Sequence, residues 1–248
     1  MWGSAGFVNW VNNTLGIERT ANVLWTGAEP FDFQVLPTPA AVEAAIREKA
    51  AEGASARLTA GYCWKWSKPN SHGDLVDDVV ISDWRMPWNA RPESKRLAQG
   101  IPSAVLWATE PGGMEQVGCI YTAQGFEFDY VGVIWGKDLV YDFDQQAWVG
   151  NPQESHDRQV KQSRTNFVEL VKNTYRVLLS RGMKGCYVCF LDKTTEQFVR
   201  SRVLTGPDSP LTVEASYPTQ IPKARLPPEG PPDTEVPRTK KRRGSREV

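Results

Sequence analysis

Four stretches of this chain are apolar without alternation: residues 104–107 (AVLW), 117–121 (VGCIY), 130–135 (YVGVIW) and 186–191 (CYVCFL). A strand with one wet face alternates apolar and polar side chains. Continuous runs this short imply strands covered on both sides, as in a parallel sheet. Polar or glycine-containing text bounds each run. Further strands are expected at residues 32–36, 57–66 and 79–81, and residues 139–143 and 146–149 suit a hairpin around Asp144-Gln145.

Helical text stands between the runs. Thr38 is placed as an N-cap, Pro39 as the first helical residue, and Gly53 as the glycine closing a helix over 40–52. Residues 5–15 read as a short amphipathic helix stopped by Gly16. The longest helix is expected over 164–180, where Phe167, Leu170, Val171, Thr174, Val177 and Leu178 make one apolar stripe. Shorter ones are expected at 92–99 and 194–204. Strands alternating with helices predict an α/β layered sheet, one domain over residues 1–206 with an irregular insertion at 67–92.

A chain of 248 residues, 40% hydrophobic, can fill one such core. Its formal charge of +0 gives no whole-chain attraction to nucleic acid or an anionic membrane. The neutrality is uneven, because from Pro218 onward eight Lys and Arg stand against four Asp and Glu. Residues 207–248 therefore read as a disordered, Pro-rich, basic tail. No apolar stretch approaches the roughly 20 residues needed to span a bilayer, and residues 1–16 lack a secretory pattern. Cys63, Cys119, Cys186 and Cys189 are scattered through strand-like text, which suits a reducing cytoplasm better than a disulfide framework. Cys186 and Cys189 have zinc-like spacing, but within a strand they point to opposite faces, and no second pair accompanies them. His72 and His156 lie in loop-like text without a nucleophile, and Asp142 and Asp144 lack the further carboxylates a metal-dependent nuclease needs. No metal site is expected.

Two segments concentrate the chemistry. In Tyr121-Thr122-Ala123-Gln124-Gly125-Phe126-Glu127-Phe128-Asp129, a strand leads through a polar turn into another apolar strand. Gly125 there permits a positive φ or a close backbone approach. Gln124 and Glu127 are expected at the carboxyl end of a strand, where open α/β sheets place ligands. In the second segment, residues 173–185, Arg181 ends the long helix just before a glycine and a buried strand. Its planar fork of donors suits a phosphate. Taken singly, each has an ordinary structural explanation: a polar turn, and a cation against a helix C-terminus.

Taken together, Thr-x-Gln-Gly-x-Glu-Phe-Asp and Tyr-x-x-Leu-x-Arg-Gly, in this order, resemble motifs V and VI of superfamily-one helicases. The chain is more closely similar to the Schlafen-group-three-like DNA/RNA helicase domain, through ARLTAGYCWKW, the PWN at 87–89, IYTAQGFEFDYVGVIWGKDLVY and NTYRVLLSRGMKGCYV. The resemblance covers residues 3–203. It implies the second, C-terminal RecA-like half of a motor, its parallel sheet flanked by helices. Arg181 is then the catalytic arginine finger, reaching the γ-phosphate of ATP held with Mg²⁺ mainly by the other half. Gln124, Gly125 and Glu127 face the same nucleotide, with Glu127 near the ribose. Thr122 couples that site to single-stranded DNA or RNA. Tyr62, Trp64, Lys65 and Trp66 combine aromatics with a cation, as strand-stacking surfaces do; the same cluster also suits the aromatic rim of a core.

One departure bears on activity. The G-x-x-x-x-G-K-[ST] loop that cradles phosphates is missing: Gly136-Lys137 is followed by Asp138. No Walker B strand ending in Asp-Glu and no preceding Gln-x-Arg is found either. The chain reads as a fragment that starts in mid-domain, needs an N-terminal RecA-like half as partner, and does not hydrolyse ATP alone. A different class of function also fits: a non-catalytic nucleic-acid-binding or protein-interaction module.

Overall fold

A computed structural model describes residues 4–27 and 29–204 of the chain. Contacts divide it into two units, Met1–Ser209 and Pro210–Val248. The stretch expected to be a basic tail, 207–248, lies outside the described residues.

In chain order the elements are α1 (Ala5–Thr14), β1 (Asp32–Val35), α2 (Pro39–Ala51), β2 (Ala56–Ala60), β3 (Val79–Ile81), β4 (Trp84–Met86), β5 (Val117–Gly118), α3 (Ile120–Ala123), β6 (Phe128–Trp135), β7 (Leu139–Asp142), β8 (Ala147–Gly150), α4 (Arg158–Gln162), α5 (Phe167–Leu179), β9 (Gly182–Phe190) and α6 (Lys193–Arg200). Five strands form one sheet in the order β1-β9-β6-β2-β5, and every pairing in it is parallel. The α/β class and the parallel sheet are those the continuous apolar runs predict.

Alternation along the central strands sends side chains into two cores. Val131, Val133 and Trp135 of β6, with Cys186 and Val188 of β9, pack with α1, α5 and α6 on one face. Ile134, Tyr187 and Cys189 pack with Val42 and Ile46 of α2 on the other. Cys186 and Cys189 thus lie on opposite faces, as strand geometry requires. Close packing of α2 depends on Gly132, where a Cβ would come within 2.8 Å of both Val42 and Ile46. That helix begins where its caps predict: the Thr38 hydroxyl accepts from Ala41 N–H at 3.1 Å, and Pro39 opens the first turn. The antiparallel β7–β8 hairpin also stands where it was expected.

Several expectations are corrected. Residues 104–107 form turns instead of a strand: Trp107 is fully buried while Val105 is 75% exposed. The Trp107 carbonyl accepts from Arg57 Nε at 2.9 Å, which withdraws it from any ladder. Residues 92–99 are turns and coil, not a helix, because Leu97 and Ala98 alone cannot give a turn of helix an apolar face. The strand expected over 57–66 ends at Ala60. The run at 117–121 is strand only as far as Gly118, since the Thr122 hydroxyl accepts from Cys119 N–H at 3.0 Å and starts α3. The strand expected at 79–81 is β3, whereas its hairpin partner β4 and the short α4 are elements that the periodicity leaves out.

Candidate functional site

The corner after α3 follows from sheet register. α3 turns the chain back, so Gln124–Glu127 lead into the amino end of β6, not out of the carboxyl end of a strand as expected. In the β6–β9 pair Phe128 stands opposite Gly182, and Phe128 N–H donates to the Arg181 carbonyl at 2.9 Å. The residues just before both strands therefore meet at one edge of the sheet, the one formed by the amino ends of its strands.

Arg181 is half-buried in this corner. Its Nε donates to the Val177 carbonyl at 3.1 Å, one terminal nitrogen to the Phe126 carbonyl at 3.3 Å, and the other to the Ser180 hydroxyl at 3.4 Å. Burial pulls its pKa down, and the charge of nearby Glu127 offsets this only in part. Among the described residues no carboxylate lies within ion-pair distance of this guanidinium, so its direct partners are neutral acceptors and Glu127 acts on it only from a distance. Gln124, Gly125 and Glu127 are exposed beside it. Gly125 has φ +94°, the left-handed value its position in the turn suggested. Asp129, which sequence reasoning gave no role, fastens the same edge: it accepts from Ser55 N–H at 3.0 Å and pairs with Lys184 at 2.8 Å. The Lys184 hydrogen bond holds its carboxyl below the ordinary value.

A second site opens beyond β2 and β5, at the opposite edge, the one formed by the carboxyl ends of the strands. Tyr62, Lys65, Trp66, Arg91, Tyr121, Thr122, His156, Asp157 and Arg158 are among the residues around a cleft of about 700 Å³. Tyr62 stands edge-on to both Trp66 and Tyr121, with ring centres 6.1 and 6.2 Å away. Asn89 is wholly buried beneath them, accepting from the Thr122 hydroxyl at 3.0 Å and, on its carbonyl, from the Trp66 indole at 2.7 Å. Lys65 and Arg158 make no hydrogen bond or ion pair among the described residues. Arg91 pairs with Glu93 at 2.9 Å. The acid of the cleft, Asp157, accepts from the Tyr121 hydroxyl at 2.8 Å, and burial together with this bond pushes the phenol pKa up.

The expected residues thus separate into two groups. Arg181, Gln124, Gly125 and Glu127 share the first corner; Tyr62, Lys65 and Thr122 share the cleft. Trp64 joins neither, because its indole donates to the Val80 carbonyl at 3.2 Å and its ring packs on Trp88. Arg91, Tyr121, His156 and Arg158 were not singled out for the cleft. They come from distant segments that only the fold brings together, and no local pattern in the sequence marks them. Among the described residues no helix is long and apolar enough to cross a membrane.

Comparison with known proteins bears on the family. An uncharacterized protein of Saccharomyces cerevisiae, YPL245W, is 26% identical over 178 residues, covering 65% of this chain and 35% of its own length. The chain thus spans about a third of that relative. The C-terminal domain of a possible DNA helicase from Lactobacillus plantarum WCFS1 aligns over 82% of this chain and 96% of its own, at 9% identity and a TM-score of 0.34. That likeness is too loose to carry weight. The profile of the Schlafen group 3 DNA/RNA helicase domain, by contrast, matches residues 1–192, about three-quarters of the sequence. The chain belongs to the Schlafen group 3 DNA/RNA helicase domain family.

Proposed function

We propose that this chain is the C-terminal motor half of an ATP-dependent DNA or RNA helicase or translocase, acting with a Walker-containing N-terminal RecA-like half. The observation that carries the proposal is the Arg181 corner. A half-buried guanidinium held by neutral acceptors, with no carboxylate partner among the described residues, is preorganised for an anion brought from outside. Its hydrogen bonds to the Val177 and Phe126 carbonyls fix the side chain, so little reorganisation is needed when the γ-phosphate arrives. Gln124 and Glu127 stand exposed beside it, able to hydrogen-bond the nucleotide, and Gly125 gives the turn its shape. No group of three or more metal-ligating side chains occurs among the described residues. In this scheme Mg²⁺ arrives on the ATP phosphates and is held by the other half.

Single-stranded nucleic acid occupies the second cleft in the same proposal. Tyr62 and Trp66 are half-buried in its wall and the Tyr121 ring is exposed, which suits unstacked bases, and Lys65 and Arg158 offer uncommitted charge to phosphates. The buried thiols fit a cytoplasmic setting. Joined to a Walker-containing half, the chain is expected to support hydrolysis that falls by a factor of about 10³–10⁵ in Arg181→Ala. Alone it is expected to hydrolyse no ATP, and robust turnover by the isolated chain would overturn the division of labour. The cleft also favours a second reading, a non-catalytic nucleic-acid-binding module. That reading predicts salt-sensitive capture of single-stranded DNA in filter binding even where no complementing half restores hydrolysis.

A further inference from the structure

The cleft that holds Lys65 does not stop at α4. A second cavity of about 290 Å³, lined by Gln153, Ser155, His156, Arg158, Lys161 and Gln162, shares His156 and Arg158 with it. The two form one groove bent over the first turn of α4. Arg158, at the bend, is exposed and unpartnered among the described residues. Lys161 follows at i+3, on the same side of the helix. Its ammonium donates to the Ser155 carbonyl at 3.1 Å, a neutral acceptor that leaves its charge uncompensated.

The acid between these cations is committed elsewhere. Asp157 is buried; one carboxylate oxygen accepts from Gln159 and Val160 N–H at 3.0 and 3.1 Å, fixing the first turn of α4. The other accepts from the hydroxyl of Tyr121, whose ring walls the larger cavity. One side chain thus sets α4 and Tyr121 relative to each other.

We infer that a single strand follows a continuous track, from Lys65 past the Tyr121 ring to Arg158 and Lys161, which contact its phosphates, and that Asp157 is the positioning residue aligning the two halves of the track. The inference rests on the assignment of the Lys65 cleft to a nucleic-acid strand and extends it beyond the residues the sequence indicated.

Fluorescence anisotropy of a labelled deoxythymidine oligonucleotide about 12 nucleotides long, titrated with the full chain across a salt series, tests it. Each phosphate contact to a single strand contributes about 0.7 to the slope of log K against log salt. Arg158→Ala/Lys161→Ala is expected to reduce the slope by about 1.4 and Lys65→Ala by about 0.7, with binding by the double variant weakened roughly tenfold at low salt. Tyr121→Phe keeps the ring but takes one partner from the buried Asp157; its slope is expected to move toward that of the double variant, alongside a modest fall in Tm. A lower Tm with an unaltered slope would make the Tyr121–Asp157 bond merely structural and overturn the positioning role. If Lys65→Ala weakens binding and the double variant does not, the track ends before α4 and the extension fails while the cleft assignment survives. Absence of binding by the wild-type chain at the lowest salt sinks both.

Discussion

Tyr175 shows how much a single hydroxyl can hold in this domain. The ring is fully buried and stacked on Trp135 at 3.8 Å. Its hydroxyl donates to Asp138 Oδ1 at 2.6 Å and accepts from Gly136 N–H at 2.9 Å. Tyr175→Phe keeps the stack but strips a buried N–H and a buried carboxylate of a partner, at a cost of about 2–3 kcal/mol. The expected result is a lower denaturation midpoint at an unchanged m-value. Asp138 itself has no cation paired with it among the described residues, and burial raises its pKa. The folded state therefore takes up a proton at a pH where the unfolded chain stays ionised. This contribution is least favourable above the folded pKa, grows as pH falls through it, and levels off below the ordinary carboxyl value. Denaturation of wild type and Asp138→Asn should thus show wild type gaining on the variant as pH drops from neutral toward 4 (about the unfolded carboxyl pKa). A constant gap would mean Asp138 stays ionised throughout.

Elements in this chain are fixed by two kinds of information, and only one is visible in the sequence. α2 was legible because Thr38, Pro39 and the apolar positions that face β6 are all local. α5 and the core strands were legible for the same reason. The loop at 104–110 was not: what shapes it is Arg57, some 50 residues away in sequence, whose buried guanidinium donates to the Trp107 and Glu110 carbonyls at 2.9 and 2.8 Å. An apolar run pinned by a distant cation cannot be told locally from a strand. The candidate sites divide in the same way. Thr122, Gln124, Gly125, Glu127 and Arg181 are carried by two contiguous motifs, whereas the cleft joins residues near 62, 91, 121 and 157 that meet only through the fold. Arg57→Met would keep the apolar stem in β2 while leaving the Trp107 carbonyl unpaired and the Glu110 carbonyl with Gly113 N–H alone, at a cost of about 2 kcal/mol. Amide exchange should rise first in residues 104–115, and unchanged protection there would show that the loop holds itself.

Across the molecule, the Arg181 corner and the Lys65 cleft lie at opposite edges of the sheet, and α3 joins them. It is only four residues long, with Tyr121 and Thr122 in the cleft and Gln124 at its C-cap leading to the Arg181 corner. The buried Thr122 hydroxyl accepts from Cys119 N–H at 3.0 Å and donates to Asn89 at 3.0 Å, tying the helix to the segment that also holds Trp66. So short an element has no interior in which to absorb a displacement, and a shift at its start must reach Phe126, whose carbonyl holds the Arg181 guanidinium. Strand binding in the cleft is therefore expected to slow amide exchange at residues 124–128, although the strand touches none of them. Thr122→Val keeps the shape but removes the hydroxyl, so it should bind the same oligonucleotide within a few-fold while the slowing at 124–128 disappears. Coupling through a jointed element requires this separation of affinity from response. If the slowing persists in the variant, the two edges communicate through the sheet itself, and α3 is only a connection.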